Sequence, residues 1–413
     1  MSARAARTLH VQRRSHCKPC FTPGTGAARR RRRLPSATKN LKRCKSLCAD
    51  TPCGVDRRDD QPDIDNSCSL HRNDVRRGRG TLIRTSLVTA TTLVVKESCQ
   101  AVQPATAANS GQKVALVVGA AGDIGMAVAR RLAAEHGFLV VPCCRTEEQA
   151  KDTCQRLGDA CWRKTNPFIT ACDLGSVESV RQYATNLRSE LNGTKLQACI
   201  HAAGVVSMPT SARQDDWRAG DVEPNMMINA VAPYVLTTHL RDALNLDTRI
   251  VTLTSTAALD VPNNFATPEY DIGFRKRTPN NPRLAYCESK AANVLFSDAL
   301  SVRGVLSNAC HPGSVATLAL KYENRKRYEQ RVSMTSEERD AQARRLGLRT
   351  PDEGATTPVW LAASQDASNL RGGFFVDPKV EVRDLYGEGV PVWRTAESAE
   401  VMWRFLDSVA SSA

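Results

Sequence analysis

Val114-Ala-Leu-Val-Val118, followed by Gly119-Ala-Ala-Gly122-Asp-Ile-Gly125 and the Ala-, Arg- and Leu-rich residues 126–135, constrains this chain more than any other stretch. A short apolar run suits a strand buried on both faces, and the residues after the glycines have the composition of a helix. Glycine at three-residue spacing removes the Cβ atoms that would crowd a phosphate at the helix N-terminus, where free N–H groups and the helix dipole attract anions. Tight strand-to-helix packing is the plainer use of the same glycines. Asp123 is an unusual residue so near an anion site, and is expected to cap the helix and point away.

The alternation continues along the chain. Strands are expected at 114–118, 138–141, 168–172, 196–201, 249–254, 306–310 and 373–376, with helical patterns near 147–157, 177–191, 226–246, 285–302 and 353–363 between them. Strands separated by helices predict an α/β fold: one Rossmann-type, doubly wound, seven-stranded parallel sheet with right-handed crossovers, occupying residues 111–413 as a single domain.

Charge separates the remainder from this domain. The chain has 413 residues and a net charge of +14, but the first 49 residues carry 14 of the 57 Lys and Arg and none of the 43 acidic residues, so the rest is balanced. A neutral body excludes a general polyanion-binding surface, and a 41% hydrophobic content excludes a disordered chain. No run of about 18 apolar residues is present, so no stable membrane span is expected, which leaves room for peripheral contact. Residues 1–110 read as a disordered basic leader of the Arg-rich, acid-free kind used for organelle import. A nucleic-acid-binding arm is the competing use of the run Arg29 to Arg33, but no aromatic or folded element accompanies it, and no nucleic-acid partner is expected. Residues 85–95 followed by Ala105-Thr-Ala107 read either as a second, lumen-directed signal or as a spacer.

Of the 15 cysteines, 7 fall in residues 1–110 and 8 beyond, without the density of a disulfide-stapled domain, so reduced thiols are expected. Cys17-Lys-Pro-Cys20 has zinc-like spacing, but the second CxxC and the regular His spacing are missing, and no metal site is expected.

After the second strand, where an acidic residue would accept the ribose 2′-OH of NAD, the chain reads Cys143-Cys144-Arg145. A guanidinium there can pair with a 2′-phosphate, which favours NADP(H) over NAD(H); a solvated loop residue is the bland alternative. Asp173 closes the third strand, where it can accept from the adenine amino group or cap the next helix. In Ala285-Tyr286-Cys-Glu-Ser-Lys290-Ala-Ala-Asn293, Tyr286 and Lys290 stand four apart on one helix face. The ammonium can stabilise the phenolate and bring a tyrosine pKa of about 10 towards neutrality, making the phenol a proton donor to a carbonyl.

With these motifs, residues 112–410 resemble the short-chain dehydrogenase/reductase family. The resemblance is carried by the glycine turn, Cys172-Asp173-Leu174, His201-Ala202-Ala203-Gly204, Asn229, Thr254-Ser255, Tyr286 to Lys290 and His311-Pro312-Gly313. Residues 285–296, Thr350-Pro-Asp-Glu-Gly-Ala355 and Gly373-Phe-Phe-Val-Asp377 look most like its retinol-dehydrogenase-like branch, to which the plastid protochlorophyllide reductases are close relatives. Two departures stand out: the family's usual Asn-Asn-Ala-Gly appears as His201-Ala-Ala-Gly204, and the glycine turn has GxxGxxG spacing.

The resemblance implies that Tyr286 is the general acid/base and that Lys290 holds the nicotinamide ribose. It implies that Ser255 hydrogen-bonds the substrate oxygen and that Asn229 keeps a helix bulged around a water linked to Lys290. It places Gly119, Gly122, Ile124, Gly125, Arg145, Asp173, Ala202, Ala203, Gly204, Pro312 and Gly313 along the cofactor, with His311 as a strand-end residue. The implied reaction is hydride transfer between NADP(H) and a small lipophilic carbonyl or alcohol. Carbon–carbon double-bond reduction and a nucleotide-sensing scaffold without turnover are the alternatives. A plastid address, stroma or thylakoid-associated, is expected for the leader, with the mitochondrion second, and a homo-oligomer is compatible with all of this. Substrate selectivity is expected from residues 256–284 and from 314–350, where the family places its mobile lid. The lid's many Lys and Arg read as a solvated helix face or as recognition of an acidic partner.

Overall fold

The computed structural model describes residues 112–162, 171–209, 221–274, 281–322, 324–382 and 389–412. The leader with its arginine run, its cysteines and Ala105-Thr-Ala107 lies outside the described residues, as do residues 168–170 of the third expected strand.

Seven strands form one sheet in the order β2-β1-β3-β4-β5-β6-β7. They are β1 (Lys113–Val118), β2 (Phe138–Cys143), β3 (Ala198–His201), β4 (Arg249–Leu253), β5 (Leu306–Cys310), β6 (Phe374–Asp377) and β7 (Val380–Glu381). Neighbours are parallel from β2 to β6, and β7 returns antiparallel beside β6. The strand count matches expectation, but one member differs. Cys172 donates its N–H to Cys144 O at 2.9 Å and no strand is formed at 171–172, whereas the edge hairpin of β6 and β7 supplies the seventh strand.

The β1 side chains explain why the sheet is covered on both sides. Val114, Leu116 and Val118 enter one hydrophobic cluster, Ala115 and Val117 the other, following the two-residue period of a strand. The first cluster is completed by α3 (Val177–Leu191), the broken helix α4 (224–239), α5 (Pro282–Val302) and the C-terminal α9 (Ala396–Ser412). The second is completed by α1 (Asp123–His136), α2 (Glu147–Leu157) and α8 (Thr356–Ala363). Local signals set most boundaries. Thr146, Ser176 and Asn281 cap α2, α3 and α5 by accepting N–H groups of their first turns, Pro282 opens α5, and α1 ends on Gly137 at φ 69°.

α4 departs from a plain helix. Pro224–Met226 leads into a π-helical turn, Met227–Val231, before Ala232–His239 completes it. The lid segment folds into α6 (Arg325–Val332) and α7 (Ser336–Leu346), anchored where Val315 bridges Arg349. The expectation of reduced thiols needs correction at one place. The turn after α2 brings the Cα atoms of Cys154 and Cys161 to 5.3 Å, and their sulfurs form a disulfide; the six other described cysteines are buried. Among the described residues no helix is long and apolar enough to cross a membrane.

Candidate active site

Strand order places the site. β1 is flanked by β2 on one side and β3 on the other, so the chain winds in opposite directions from it, and the C-terminal ends of β1 and β3 are where a ligand crevice is expected. The turn after β1 and the residues after β3 meet there: a Cβ on Gly119, whose φ is +83°, would lie 2.7 Å from the Ala203 backbone. At Gly125 a Cβ would lie 2.1 Å from Gly119 O. These two glycines are therefore required by packing alone.

Gly122 is different. It is exposed, and the only nearby atom its Cβ would meet is Gly119 O at 3.3 Å. It precedes α1 in extended conformation and offers no side-chain cap, leaving first-turn N–H groups uncapped beside it. That open, uncapped helix start fits the pyrophosphate of a dinucleotide, with half-buried Ile124 on the first turn. Asp123 does not cap the helix. Its Oδ2 accepts the N–H of Leu318 at 2.8 Å, because the lid segment passes over the start of α1 and presents an unsatisfied amide there.

Arg145 follows β2, is exposed, and makes no hydrogen bond or ion pair among the described residues. Asp173 accepts Gly175 N–H at 2.9 Å through Oδ1 and so shapes the entry to α3, whose cap is Ser176.

At the other side of the cleft α5 carries Tyr286 and, one turn on, Lys290, both buried. Lys290 Nζ lies 5.9 Å from the Tyr286 ring centroid and donates to Leu253 O at 3.1 Å and Asn293 Oδ1 at 3.4 Å. Burial pushes its ammonium down from 10.5 to about 8. A Cβ on Gly204 would stand 3.2 Å from both Lys290 Nζ and Asn229 Oδ1, so these groups converge on the end of the β3 loop. Asn229 sits in the π-helical turn, bonds both the N–H and the carbonyl of Val205, and donates to Ser289 Oγ. Its own carbonyl takes Asn293 Nδ2 at 2.5 Å. The expected bulge at Asn229 is therefore present, held by side chains of the α5 helix. Ser255 leaves β4, is half-buried, and accepts Ala257 N–H at 3.2 Å, starting a short 3₁₀ turn packed against α5.

Pro312 and Gly313 follow β5 under Arg349. The guanidinium donates to Pro312 O at 3.2 Å and pairs with Asp377 at 2.6 Å; with φ +86°, Gly313 lies so close that a Cβ would stand 2.5 Å from Arg349 Cδ. His311, next to β5 as expected, is held neutral: burial lowers its pKa to about 4, aided by the positive charge of Arg349. His201 is also buried, with Nε2 3.0 Å from Thr237 Oγ1, and desolvation lowers its pKa to about 4.

A family model described as short chain dehydrogenase matches residues 113–268. Mouse (Mus musculus) retinol dehydrogenase 11 is 28% identical over 275 residues, covering 64% of this chain and 78% of the relative. The human (Homo sapiens) WW domain-containing oxidoreductase is 27% identical over 275 residues, covering 64% of this chain and 61% of that protein, less than two thirds of its length. These matches support the short-chain dehydrogenase/reductase family for residues 113–268. The crystal structure of an uncharacterised protein from Mycobacterium paratuberculosis shares the fold, with TM-score 0.51, 20% identity and coverage of 73% of this chain and 94% of that one.

Three site features escaped the sequence. The pairing of Arg349 with Asp377 had no sequence signal, although together they hold the Pro312-Gly313 loop. Asp123 had no assignable partner until the lid was in place. Arg331 belonged to the lid's run of cations, yet it is the one buried residue of α6.

Proposed function

We propose that this oxidoreductase transfers a hydride between NADP(H) and a small lipophilic carbonyl or alcohol, with Tyr286 as acid/base. The reading rests on the convergence of buried Lys290, Tyr286 and the Asn229 bulge on the end of the β3 loop. When bound, the nicotinamide supplies or accepts the hydride. Residues of the glycine turn would hold its pyrophosphate, Arg145 its 2′-phosphate, Ala202, Ala203, Gly204, Pro312 and Gly313 its flank, and Lys290 its nicotinamide ribose.

Tyr286 Oη would give a proton to the substrate oxygen in reduction and take it back in oxidation, while Ser255 Oγ holds that oxygen by a hydrogen bond. Lys290, positive and poorly solvated, stabilises the phenolate that remains. NADPH consumption in the dark with a panel of lipophilic aldehydes and ketones tests the reading. Tyr286→Phe should reduce turnover about 10²- to 10⁴-fold with NADPH affinity unchanged. Near-normal turnover in that variant would overturn it.

We further propose that residues 1–110 address the chain to the chloroplast and that 111–413 fold and react without them. The support is the acid-free, Arg-rich composition of the first 49 residues. A fluorescent protein fused behind residues 1–110 should enter plastids; delivery to mitochondria instead would overturn the address.

A further inference from the structure

We infer that Arg331, carried on the lid helix α6, is a ligand of the cofactor's pyrophosphate at the start of α1. The inference rests on the proposed dinucleotide-dependent function.

Arg331 is 1% exposed on a helix with no other buried residue. Its Nη1 donates to Thr317 O at 3.1 Å and its Nε to Gln342 Oε1 at 3.2 Å, while the buried Nη2 has no partner among the described residues. It forms no ion pair among the described residues. A guanidinium taken out of water with neutral acceptors only, and with one nitrogen unsatisfied, is an unfavourable arrangement that an anion relieves.

The neighbouring structure says which anion. The residue after Thr317 is Leu318, whose N–H is held by Asp123, the first residue of α1. Two hydrogen bonds and a peptide unit therefore connect the guanidinium to the uncapped helix terminus beside Gly122, the place where a pyrophosphate fits. Asp123 by itself would oppose such a ligand. Drawn onto Leu318, its carboxylate instead fixes the Thr317-Leu318 segment against which Arg331 is set, and the guanidinium offsets its charge. A fork of N–H donors suits a phosphate better than a point charge does.

A purely structural role is the competing account, since Arg331 also ties Thr317 to α7. Binding of three probes to the full chain separates the two: NADPH, NADH, and adenosine 2′-monophosphate, which has no pyrophosphate. Arg331→Met should weaken NADPH and NADH alike, about 10- to 100-fold, and leave adenosine 2′-monophosphate within about twofold. Arg331→Lys should recover part of the loss. Parallel weakening of all three probes would mean a disturbed fold and would overturn the assignment, as would unchanged NADPH affinity in Arg331→Met. If the unsubstituted chain bound neither dinucleotide, the proposed function would fall first and this assignment with it.

Discussion

The ammonium of Lys290 lies 5.9 Å from the ring centroid of Tyr286, buried in a site where it has no carboxylate partner among the described residues. Its pKa of about 8 stands below the ordinary 10.5. Below pH 8 the folded and unfolded chains both carry the charge, so the desolvation penalty, about 3 kcal/mol, is fully present. Between pH 8 and 10.5 the unfolded chain keeps a proton that the folded chain releases, so stability from this group rises with pH. Lys290→Met should therefore be inactive yet more stable than the unsubstituted protein at pH 7, and the gain should disappear by about pH 10.5. Urea denaturation at pH 7, 9 and 10.5 measures this; a less stable variant at pH 7 would contradict it.

His201 produces a slope of the same sign on the acid side. Its folded pKa is about 4 against an ordinary 6.5, so below pH 6.5 the unfolded chain binds a proton that the folded chain refuses. Stability is lost as pH falls from 6.5 to 4, by about 3 kcal/mol from this group. In His201→Asn the difference between urea midpoints at pH 7 and pH 4.5 should shrink. An unchanged difference would show that the histidine is not refusing the proton.

The glycine turn should divide under alanine substitution. Gly125→Ala places a Cβ 2.1 Å from a carbonyl oxygen of the same turn, so the protein should lose its cooperative thermal transition. Gly122→Ala meets only one atom, at 3.3 Å, and should fold with nearly unchanged Tm while binding NADPH about 10-fold more weakly. Full NADPH affinity in Gly122→Ala would remove the pyrophosphate from that position.

Arg145 is exposed after β2, with no hydrogen bond or ion pair among the described residues. If it meets the 2′-phosphate, NADPH should bind better than NADH by about 1.5 to 3 kcal/mol, and Arg145→Ala should erase most of the difference. Isothermal titration with both nucleotides decides this. Equal affinities in the unsubstituted protein would refute the assignment.

Much of the architecture was legible because its causes are local. α2 and α3 lie at 147–157 and 177–191 as expected, since an apolar stripe and a Thr or Ser cap act within one or two turns. Tyr286 and Lys290 were legible for the same reason: four residues on a helix fix their common face. The third expected strand shows the limit. A short apolar run such as 168–172 suggests burial but not a pairing partner, and the same information left the short β7 unnoticed at the edge of the sheet.

By itself, then, the sequence determined the β-α alternation, the glycine turn and the Tyr286–Lys290 pair, each specified by residues within a few positions of one another. Tertiary structure alone decided that Asp123 holds Leu318, 195 residues away, and that Arg349 meets Asp377 over Gly313. It also decided that Arg331, one cation among nine between Lys321 and Arg349, is the one enclosed beside α1. A charged side chain carries no periodic signature of its partner. Which arginine is solvated and which is buried depends on how the lid lies on the sheet, and that is fixed by packing between elements far apart in the chain.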